Sequence, residues 1–335
     1  MADSRNKPST EPVRQVVAAC LAAHAKPGQL VVVGFSGGLD STVLLHAAGG
    51  VARESAFALS ALHVHHGLSA NADSWADACT RACQELDIPL THLRVDVPLN
   101  SGAGLEASAR GMRHKALADH PADWILLAHH ADDQAETVLH NLLRGAGVRG
   151  AGAMPESRGR VLRPLLGVTR EELLVYARFH RLSWVEDESN ADCRYTRNFL
   201  RHKILPLIAS RFPRAGRQLA AAAARFGEAD ALLEDLAALD LCGAPPEFPL
   251  PLKLFRELPG ARARNLLRAM LTWHEVQPPD ERRLNEFVRQ LQNAGNDRHP
   301  RIDLASYSLW CEAGRLHFKD LNLTFGFVCQ PAERL

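Results

Sequence analysis

The sequence predicts an α/β fold: a doubly wound, mostly parallel sheet of Rossmann-like type, with a second, smaller and mainly helical C-terminal domain. Four short apolar or β-branched runs, QLVVVGF, ALSALHVHH, THLRVDV and DWILLAHH, are separated by segments long enough for a helix, such as ADSWADACTRACQELD. This alternation is typical of parallel sheets covered by helices. Ligands of such folds bind at the C-terminal ends of the strands, and the unusual residues of this half of the chain fall there.

The rest of the chain predicts the smaller domain. QLAAAAARFGEADALLEDLAAL predicts one long helix, and the proline-rich LCGAPPEFPLP marks a break after it. LFRELPGARARNLLRAMLTWH and ERRLNEFVRQLQNA have the apolar spacing of helices, and SYSLWCEAGRLHFKDL predicts a hairpin that turns at Ala313 and Gly314. We expect Trp273 and Trp310 to be core residues of this domain and not platforms for stacked bases. The predicted divisions are a polar tail and leading helix (1–25), the sheet domain (26–215), a connecting helix (216–240) and the C-terminal domain (241–330).

Composition sets the class of protein. The 335 residues suffice for two domains, and 46% hydrophobic with 23% charged residues is typical of a soluble globular protein, which excludes a disordered or collagenous chain. A net charge of +1 argues neither for nor against nucleic acid. No run of roughly 18 apolar residues occurs and residues 1–11 do not resemble a signal peptide, so we expect a cytoplasmic protein without membrane contact. The seven cysteines include no CxxC pair, and we expect free thiols.

The stretch VVVGFSGGLDSTVLLH predicts a phosphate-binding loop between a strand and a helix. Backbone amides at a helix N-terminus favour an anion, and the glycines allow close approach of its oxygens. Asp40 would repel phosphates unless a divalent cation lay between them. Because the loop has no lysine, it predicts binding of pyrophosphate with Mg²⁺ and not transfer of a γ-phosphoryl group. The alternative is a plain strand-to-helix turn capped by Ser36.

The segment LLAHHADDQAETVLHNLLRG predicts a second part of the site. Asp133, Glu136 and His140 fall on one face of the expected helix. Carboxylates beside a phosphate loop require a cation, either Mg²⁺ or the ammonium group of a substrate. Two alternatives are a solvated acidic helix start and a transition-metal site built from His129, His130 and Asp132, although neither HExxH nor a Cys/His quartet accompanies it.

The motifs resemble those of a known family. SGGLDS is similar to the PP-loop of the N-type ATP pyrophosphatases, and AHHADDQAET, LLRGAGVRGAGAMP, RPLL, LHVHHGL, LEASARGMRH and WVEDESNADCRYTRNFLRHKILP resemble ordered blocks of the tRNA(Ile)-lysidine synthases. The resemblance spans roughly Leu30 to Pro206. Two departures are Ser69, where the family usually has arginine, and His114, where it has tyrosine. The chain has room for one C-terminal domain after the PP-loop domain, so we expect the shorter family form.

The resemblance implies an ATP-dependent ligase. It would adenylate C2 of the wobble cytidine of an isoleucine tRNA with a CAU anticodon and then attach free L-lysine there, with ATP and Mg²⁺ as cofactors; it leaves a homodimer open. The implied catalytic residues are Asp40, Asp133 and Glu136, and Asp40 with Asp132 would bind the metal. ATP or pyrophosphate would contact Ser36, Gly37, Gly38, Leu39, Asp40 and Ser41, and lysine would contact Asp133, Glu136 and Arg110.

Basic clusters indicate an RNA-binding surface. Between Cys193 and Gly227 there are eight Lys or Arg residues and no Asp or Glu, which suits a phosphate backbone. A solvated helix face is the alternative. Our tRNA-binding candidates are Arg144, Arg149, Arg197, Arg201 and Lys203.

Three other functions compete with the ligase. A PP-loop tRNA thiolase commonly needs a cysteine pair, which is missing. An amidating synthetase needs a glutaminase or an ammonia route, and we find no such nucleophile motif. A non-catalytic tRNA-binding module would not need the intact Asp40, Asp133 and Glu136.

Overall fold

The computed structural model describes residues 11–67, 71–95, 105–186, 192–294 and 299–321, without the side chains of residues 11, 105–107, 109 and 110. The chain divides into two units, Met1–Gly227 and Glu228–Leu335. The boundaries predicted from the sequence are finer than this division. Ser69, one of the two departures from the family pattern, lies outside the described residues.

A six-stranded sheet forms the centre of the first unit. Its strands are β1 (Leu30–Gly34), β2 (Ala58–His65), β3 (Leu90–Arg94), β4 (Trp124–Leu126), β5 (Ser157–Arg158) and β6 (Val161–Leu162). They lie in the order β3-β2-β1-β4-β6-β5, and all neighbours are parallel except β5 and β6. The doubly wound, mostly parallel sheet predicted from the sequence is confirmed.

Helices cover both faces of this sheet. The helices of the first unit are α1 (Glu11–His24), α2 (Leu39–Ala52), α3 (Ala72–Leu86), α4 (Leu105–Asp119), α5 (Ala131–Leu143), α6 (Val148–Ala151), α7 (Arg170–Phe179), α8 (Thr196–Phe199) and α9 (Leu205–Arg211), with a π-helical turn at Leu200–Ile204. Val31 and Val33 of β1 belong to one apolar cluster, whereas Val32 belongs to another with Leu62 and Ile125. Because both faces of β1 are buried, its sequence is a continuous apolar run without alternation.

The second unit combines helices with a small antiparallel sheet. The division between the units falls within helix α10 (Ala215–Asp240), whose last part belongs to the second unit. This helix is followed by β7 (Leu250–Pro251), α11 (Leu252–Glu257), α12 (Gly260–Trp273), α13 (Glu281–Asn293), β8 (Arg301–Asp303), β9 (Tyr307–Glu312) and β10 (Arg315–Asp320). The strand order is β7-β10-β9-β8. The predicted hairpin is present, and Ala313 and Gly314 both have positive φ, 48° and 71°, as a tight two-residue turn requires.

The two tryptophans of this unit lie in different surroundings. Trp273 packs against the apolar cluster formed by α11, α12, α13 and the sheet. Trp310 is half-buried and stacks on His317 of the neighbouring strand, with ring centroids 5.2 Å apart and 16° between the planes. Both tryptophans are half-buried: Trp273 borders the core as predicted, whereas Trp310 lies outside this cluster, because alternate residues of β9 face opposite sides of the sheet.

Two predictions about chain class are addressed by the described residues. None of their helices is both long and apolar enough to span a membrane. The six cysteines among them are free thiols, and Cys79 and Cys83 are buried on one face of α3.

Candidate functional site

At Gly37, the loop between β1 and α2 has a backbone conformation that only glycine adopts easily. Gly37 has φ +81°, and a Cβ there would lie 2.8 Å from Val185 Cγ2 and 2.9 Å from Cys79 Sγ. The amide of Val185 also donates to the carbonyl of Gly37 at 2.9 Å. The predicted phosphate-binding loop is therefore held closely by residues behind it.

Hydrogen bonds of two serines, Ser36 and Ser41, hold the loop in shape. Ser41 Oγ accepts a hydrogen bond from the amide of Ser36 at 3.2 Å, lies 3.0 Å from Ser36 Oγ and donates to the carbonyl of Gly38 at 3.0 Å. Gly38, which precedes α2, supplies no side-chain cap to the helix. The first amides of α2 therefore donate no hydrogen bond to a capping side chain, and this arrangement suits an anion.

Asp40 lies in the first turn of α2 and faces His130. Its Oδ2 atom is 3.5 Å from His130 Nε2, whereas its Oδ1 atom is buried and has no hydrogen-bond partner. A buried carboxylate oxygen without a partner is costly unless a ligand completes it. Among the described residues, no group of three or more His, Cys, Asp and Glu side chains could hold a metal ion. Asp40 fits Mg²⁺ only as one ligand of an ion bound mainly by phosphates and water, and the transition-metal hypothesis finds no support.

His130 connects Asp40 to α5. Its backbone amide donates to Asp133 Oδ2 at 3.1 Å, and its Nε2 atom lies 3.4 Å from the same oxygen. When the ring is neutral, its Nδ1 atom accepts a hydrogen bond from the amide of Asp132 at 3.2 Å. The same atom lies 3.6 Å from Asp132 Oδ2, which makes an ion pair when the ring is protonated. Burial opposes protonation, but hydrogen bonds with Asp132 and Asp40 and the charge of Asp133 raise the pKa of His130 to about 10. From the sequence alone, His130 is a candidate only as a ligand in the transition-metal alternative.

Asp133 and Glu136 lie on one face of α5 and bind a common cation, the guanidinium of Arg201. Arg201 donates from Nε to Glu136 Oε1 at 2.5 Å and from Nη2 to Asp133 Oδ1 at 2.8 Å and Glu136 Oε2 at 3.0 Å. The Glu136 side chain is only 2% exposed. Burial raises the pKa of Glu136, and the opposing hydrogen bond and charge of Arg201 do not fully offset this effect. We call these two residues the carboxylate pair.

Asp132 points in a different direction from the carboxylate pair. Its Oδ2 atom accepts a hydrogen bond from the amide of Arg170, the first residue of α7, at 2.8 Å. Burial alone would raise the pKa of Asp132, but hydrogen bonds from His130 and from this amide keep that pKa below its usual value. One oxygen of the predicted metal ligand is therefore engaged in joining α5 to α7.

The remaining predicted residues are spread over the first unit. Arg144 is exposed directly after α5, Arg149 is exposed on α6, Arg197 is half-buried on α8, and Lys203 is exposed on the π-helical turn. Arg110 belongs to α4, but its side chain lies outside the described residues, so its predicted contact with lysine is still a prediction.

Comparison with known proteins identifies both units. Residues 9–208 match the family model of the PP-loop domain, and residues 250–317 match that of the TilS substrate binding domain. Among solved structures, the first unit's fold is similar to the U34-tRNA thiolase NcsA from Methanococcus maripaludis, which contains a 4Fe–4S cluster. The TM-score is 0.57 and the identity 19%, over 65% of this chain and 78% of that chain. This likeness shows a shared fold only.

Three curated relatives all have the name tRNA(Ile)-lysidine synthase. The protein of Azoarcus sp. is 45% identical over 87% of this chain and 65% of its own length. The protein of Pseudomonas aeruginosa is 48% identical over 85% of this chain and 67% of its own length. The protein of Nitrosomonas europaea is 40% identical over 95% of this chain and 71% of its own length. The chain thus spans about two thirds of these relatives, and it belongs to the tRNA(Ile)-lysidine synthase family of PP-loop proteins.

Proposed function

We propose that this protein ligates free lysine to C2 of the wobble cytidine in the isoleucine tRNA with a CAU anticodon. The C2 oxygen of the cytidine attacks the α-phosphorus of ATP, and pyrophosphate leaves. The ε-amine of lysine then attacks C2, the C2–O bond breaks, and AMP departs with that oxygen while the amine loses a proton. The observation that carries the proposal is that His130 joins a phosphate loop directly to a cation-binding carboxylate pair.

The loop supplies the groups that the first step needs. Departure of pyrophosphate develops negative charge, which the amides of Gly37 and Gly38 and the first turn of α2 are suited to stabilise. Ser36 and Ser41 hold the loop through hydrogen bonds to each other and to the Gly38 carbonyl, and their hydroxyls can donate to phosphate oxygens when they turn away from these partners. The match to the PP-loop domain supports the use of ATP.

Asp40 is the residue we assign to Mg²⁺, because its Oδ1 atom is buried without a hydrogen-bond partner beside the loop. Bound Mg²⁺ would neutralise phosphate charge that Asp40 would otherwise repel. Asp132 is a weaker candidate, since one of its oxygens already accepts from Arg170. His130, with a pKa of about 10, places positive charge between Asp40 and Asp133 when it is protonated.

The carboxylate pair is our candidate site for the lysine side chain. Lysine arrives as an ammonium ion and must become a neutral amine before it attacks C2. Glu136 is suited to take that proton because burial raises the pKa of its carboxyl group. Arg201 already neutralises part of the pair's charge, so we infer that the ammonium group binds beside the guanidinium and competes with it for Asp133, the more exposed of the two carboxylates. Arg110 is our candidate partner of the lysine carboxylate.

The tRNA would contact both units. The match of residues 250–317 to a substrate binding domain supports a role of the second unit in binding tRNA. In the first unit, Arg144, Arg149, Arg197 and Lys203 are our candidates for phosphate contacts. Arg201 is a lesser candidate because its guanidinium is occupied by the carboxylate pair. A homodimer remains a prediction from the family resemblance.

The test is transfer of labelled lysine to unmodified CAU isoleucine tRNA with ATP and Mg²⁺, beside the same tRNA with uridine at the wobble position. We expect label only on the cytidine form, with AMP and pyrophosphate released. Asp40→Asn and Glu136→Gln should each abolish transfer, whereas Glu85→Gln, a change at an exposed carboxylate of α3, should not. Sulfur incorporation without lysine would favour the thiolase, and tRNA binding without AMP formation would favour the non-catalytic module.

A further inference from the structure

A cavity of about 330 Å³ is formed by the C-terminal end of α5, by α8 and by the first residue of the π-helical turn, the elements that also carry the carboxylate pair and Arg201. Its wall is formed by His140, Leu143, Arg144, Thr196 and Leu200. His140 follows Glu136 by four residues on the same face of α5, so it lies about 6 Å further along the helix axis. Leu200 directly precedes Arg201, whose guanidinium binds the pair. The cavity therefore lies about one helical turn beyond the pair along α5.

The side chains that line the cavity indicate which class of ligand it can bind. Leu200 is buried, and Leu143 presents an apolar side chain that is 75% exposed. His140, Arg144 and Thr196 add hydrogen-bonding groups, and none of the five residues carries a carboxylate. Two aromatic side chains adjacent in sequence to the wall, Tyr195 and Phe199, are exposed as well. Apolar and basic side chains without acids, with exposed aromatic side chains one residue away from the wall, suit an unpaired nucleotide.

We propose that this cavity holds the base of a nucleotide adjacent to the wobble nucleotide in the tRNA. The inference rests on the proposed function, since it takes the wobble cytidine to react beside the carboxylate pair. Leu143 and Leu200 contact the face of the base, His140 and Thr196 its edge, and Arg144 an adjoining phosphate. Free lysine is the poorer occupant, because its ammonium group would meet Arg144 and no carboxylate.

The experiment measures binding of labelled CAU isoleucine tRNA and of two forms that lack the base on the 5′ or the 3′ side of the wobble nucleotide. For the wild type, one of the two abasic forms should bind at least about 5-fold more weakly, the lower end of the range for a base stacked on an aromatic ring, because leucines contact the face of the base here. Thr196→Phe fills the cavity, so it should weaken binding of the intact tRNA and show little further loss with that abasic form. Leu143→Ala should reduce the difference between the two RNAs.

Matched variants separate the cavity from general effects. Ala209→Phe adds the same ring, and Leu207→Ala removes the same side chain, at exposed positions of α9 that do not line the cavity. Both should keep the wild-type preference for the intact tRNA, and thermal unfolding should show that all four variants fold. The KM for lysine should be the same in Thr196→Phe as in the wild type.

The outcomes distinguish this inference from the proposed function. Lysine transfer by a wild type that binds both abasic forms as well as intact tRNA would overturn the cavity assignment alone. If the wild type prefers the intact tRNA and Thr196→Phe removes this preference, but the wild type transfers no lysine, the proposed reaction is overturned and the cavity is still a nucleotide site. A raised KM for lysine in Thr196→Phe, with unchanged tRNA affinity, would reassign the cavity to lysine.

Discussion

Substitution of Gly37 by alanine tests whether the phosphate loop depends on its observed backbone. The residue has φ +81°, and an alanine Cβ would lie 2.8 Å from Val185 Cγ2 and 2.9 Å from Cys79 Sγ. The left-handed backbone costs a side chain about 1–2 kcal/mol. Overpacking against two fixed neighbours adds about 1–3 kcal/mol. We therefore expect Gly37→Ala to lose about 2–5 kcal/mol in total.

This loss divides between folding and binding. If the loop keeps its shape, the free energy of unfolding falls, which urea denaturation measures. If the loop shifts, stability is retained and the affinity for ATP falls, which titration calorimetry measures. We expect the two losses to sum to the same amount. Wild-type stability together with wild-type ATP affinity would refute the reasoning.

Gly38→Ala is the matched control. Gly38 has φ −73°, and its added Cβ would meet Ser36 Oγ at 3.5 Å, an ordinary contact. We expect its stability to stay within about 0.5 kcal/mol of the wild type. A large loss of ATP affinity in this variant would then indicate that ATP approaches the loop closely, because the Gly38→Ala backbone is not strained. Adding Cys79→Ala to Gly37→Ala should recover part of the loss, because it removes the contact at 2.9 Å.

Three further predictions concern the two units. Arg201→Met should lower the free energy of unfolding by about 3 kcal/mol, since it leaves Glu136 buried without its cation, and Glu136→Gln in the same chain should restore part of it. Burial lowers the pKa of His46 to about 4, below its unfolded value, so stability should fall by up to about 3 kcal/mol as the pH drops from about 6.5 to 4. His46→Gln should reduce the dependence of the free energy of unfolding on pH, by an amount equal to the uptake of at most one proton. Urea titrations at several pH values measure this dependence. Trp273→Ala should destabilise the second unit by about 3 kcal/mol, and Trp310→Ala by about 1 kcal/mol or less, in thermal unfolding.

Local patterns in the sequence were sufficient for much of the first unit. The run VVVGFSGGLDS contains its strand, its phosphate loop and the start of α2, because each follows from residues only a few positions apart. The shared face of Asp133 and Glu136 follows from helical spacing alone. In both cases the structure depends on interactions between residues that are only a few positions apart in the sequence.

Long-range partners could not be predicted in this way. Arg201 lies 65 residues after Glu136, and nothing near either residue indicates that a π-helical turn brings them together. The bond from the Arg170 amide to Asp132 likewise depends on how α7 meets α5. In the second unit, β7 and β8 have only two and three residues, which is too short for a periodic signal, and Trp310 could be assigned to a face only once the register of β9 was known.

Helix α5 explains why the parts of the candidate site occur in a fixed order. Its cap, His130, meets Asp40 beside the phosphate loop, its first two turns carry the carboxylate pair, and His140 follows at the cavity. Because these side chains project from one rigid element, their separations do not depend on loop conformation. A phosphate, a cation and a nucleobase bound to them would therefore lie in sequence along one line. That order suits the proposed chemistry, in which the reacting base must reach both ATP and lysine while its neighbour in the RNA is held in place.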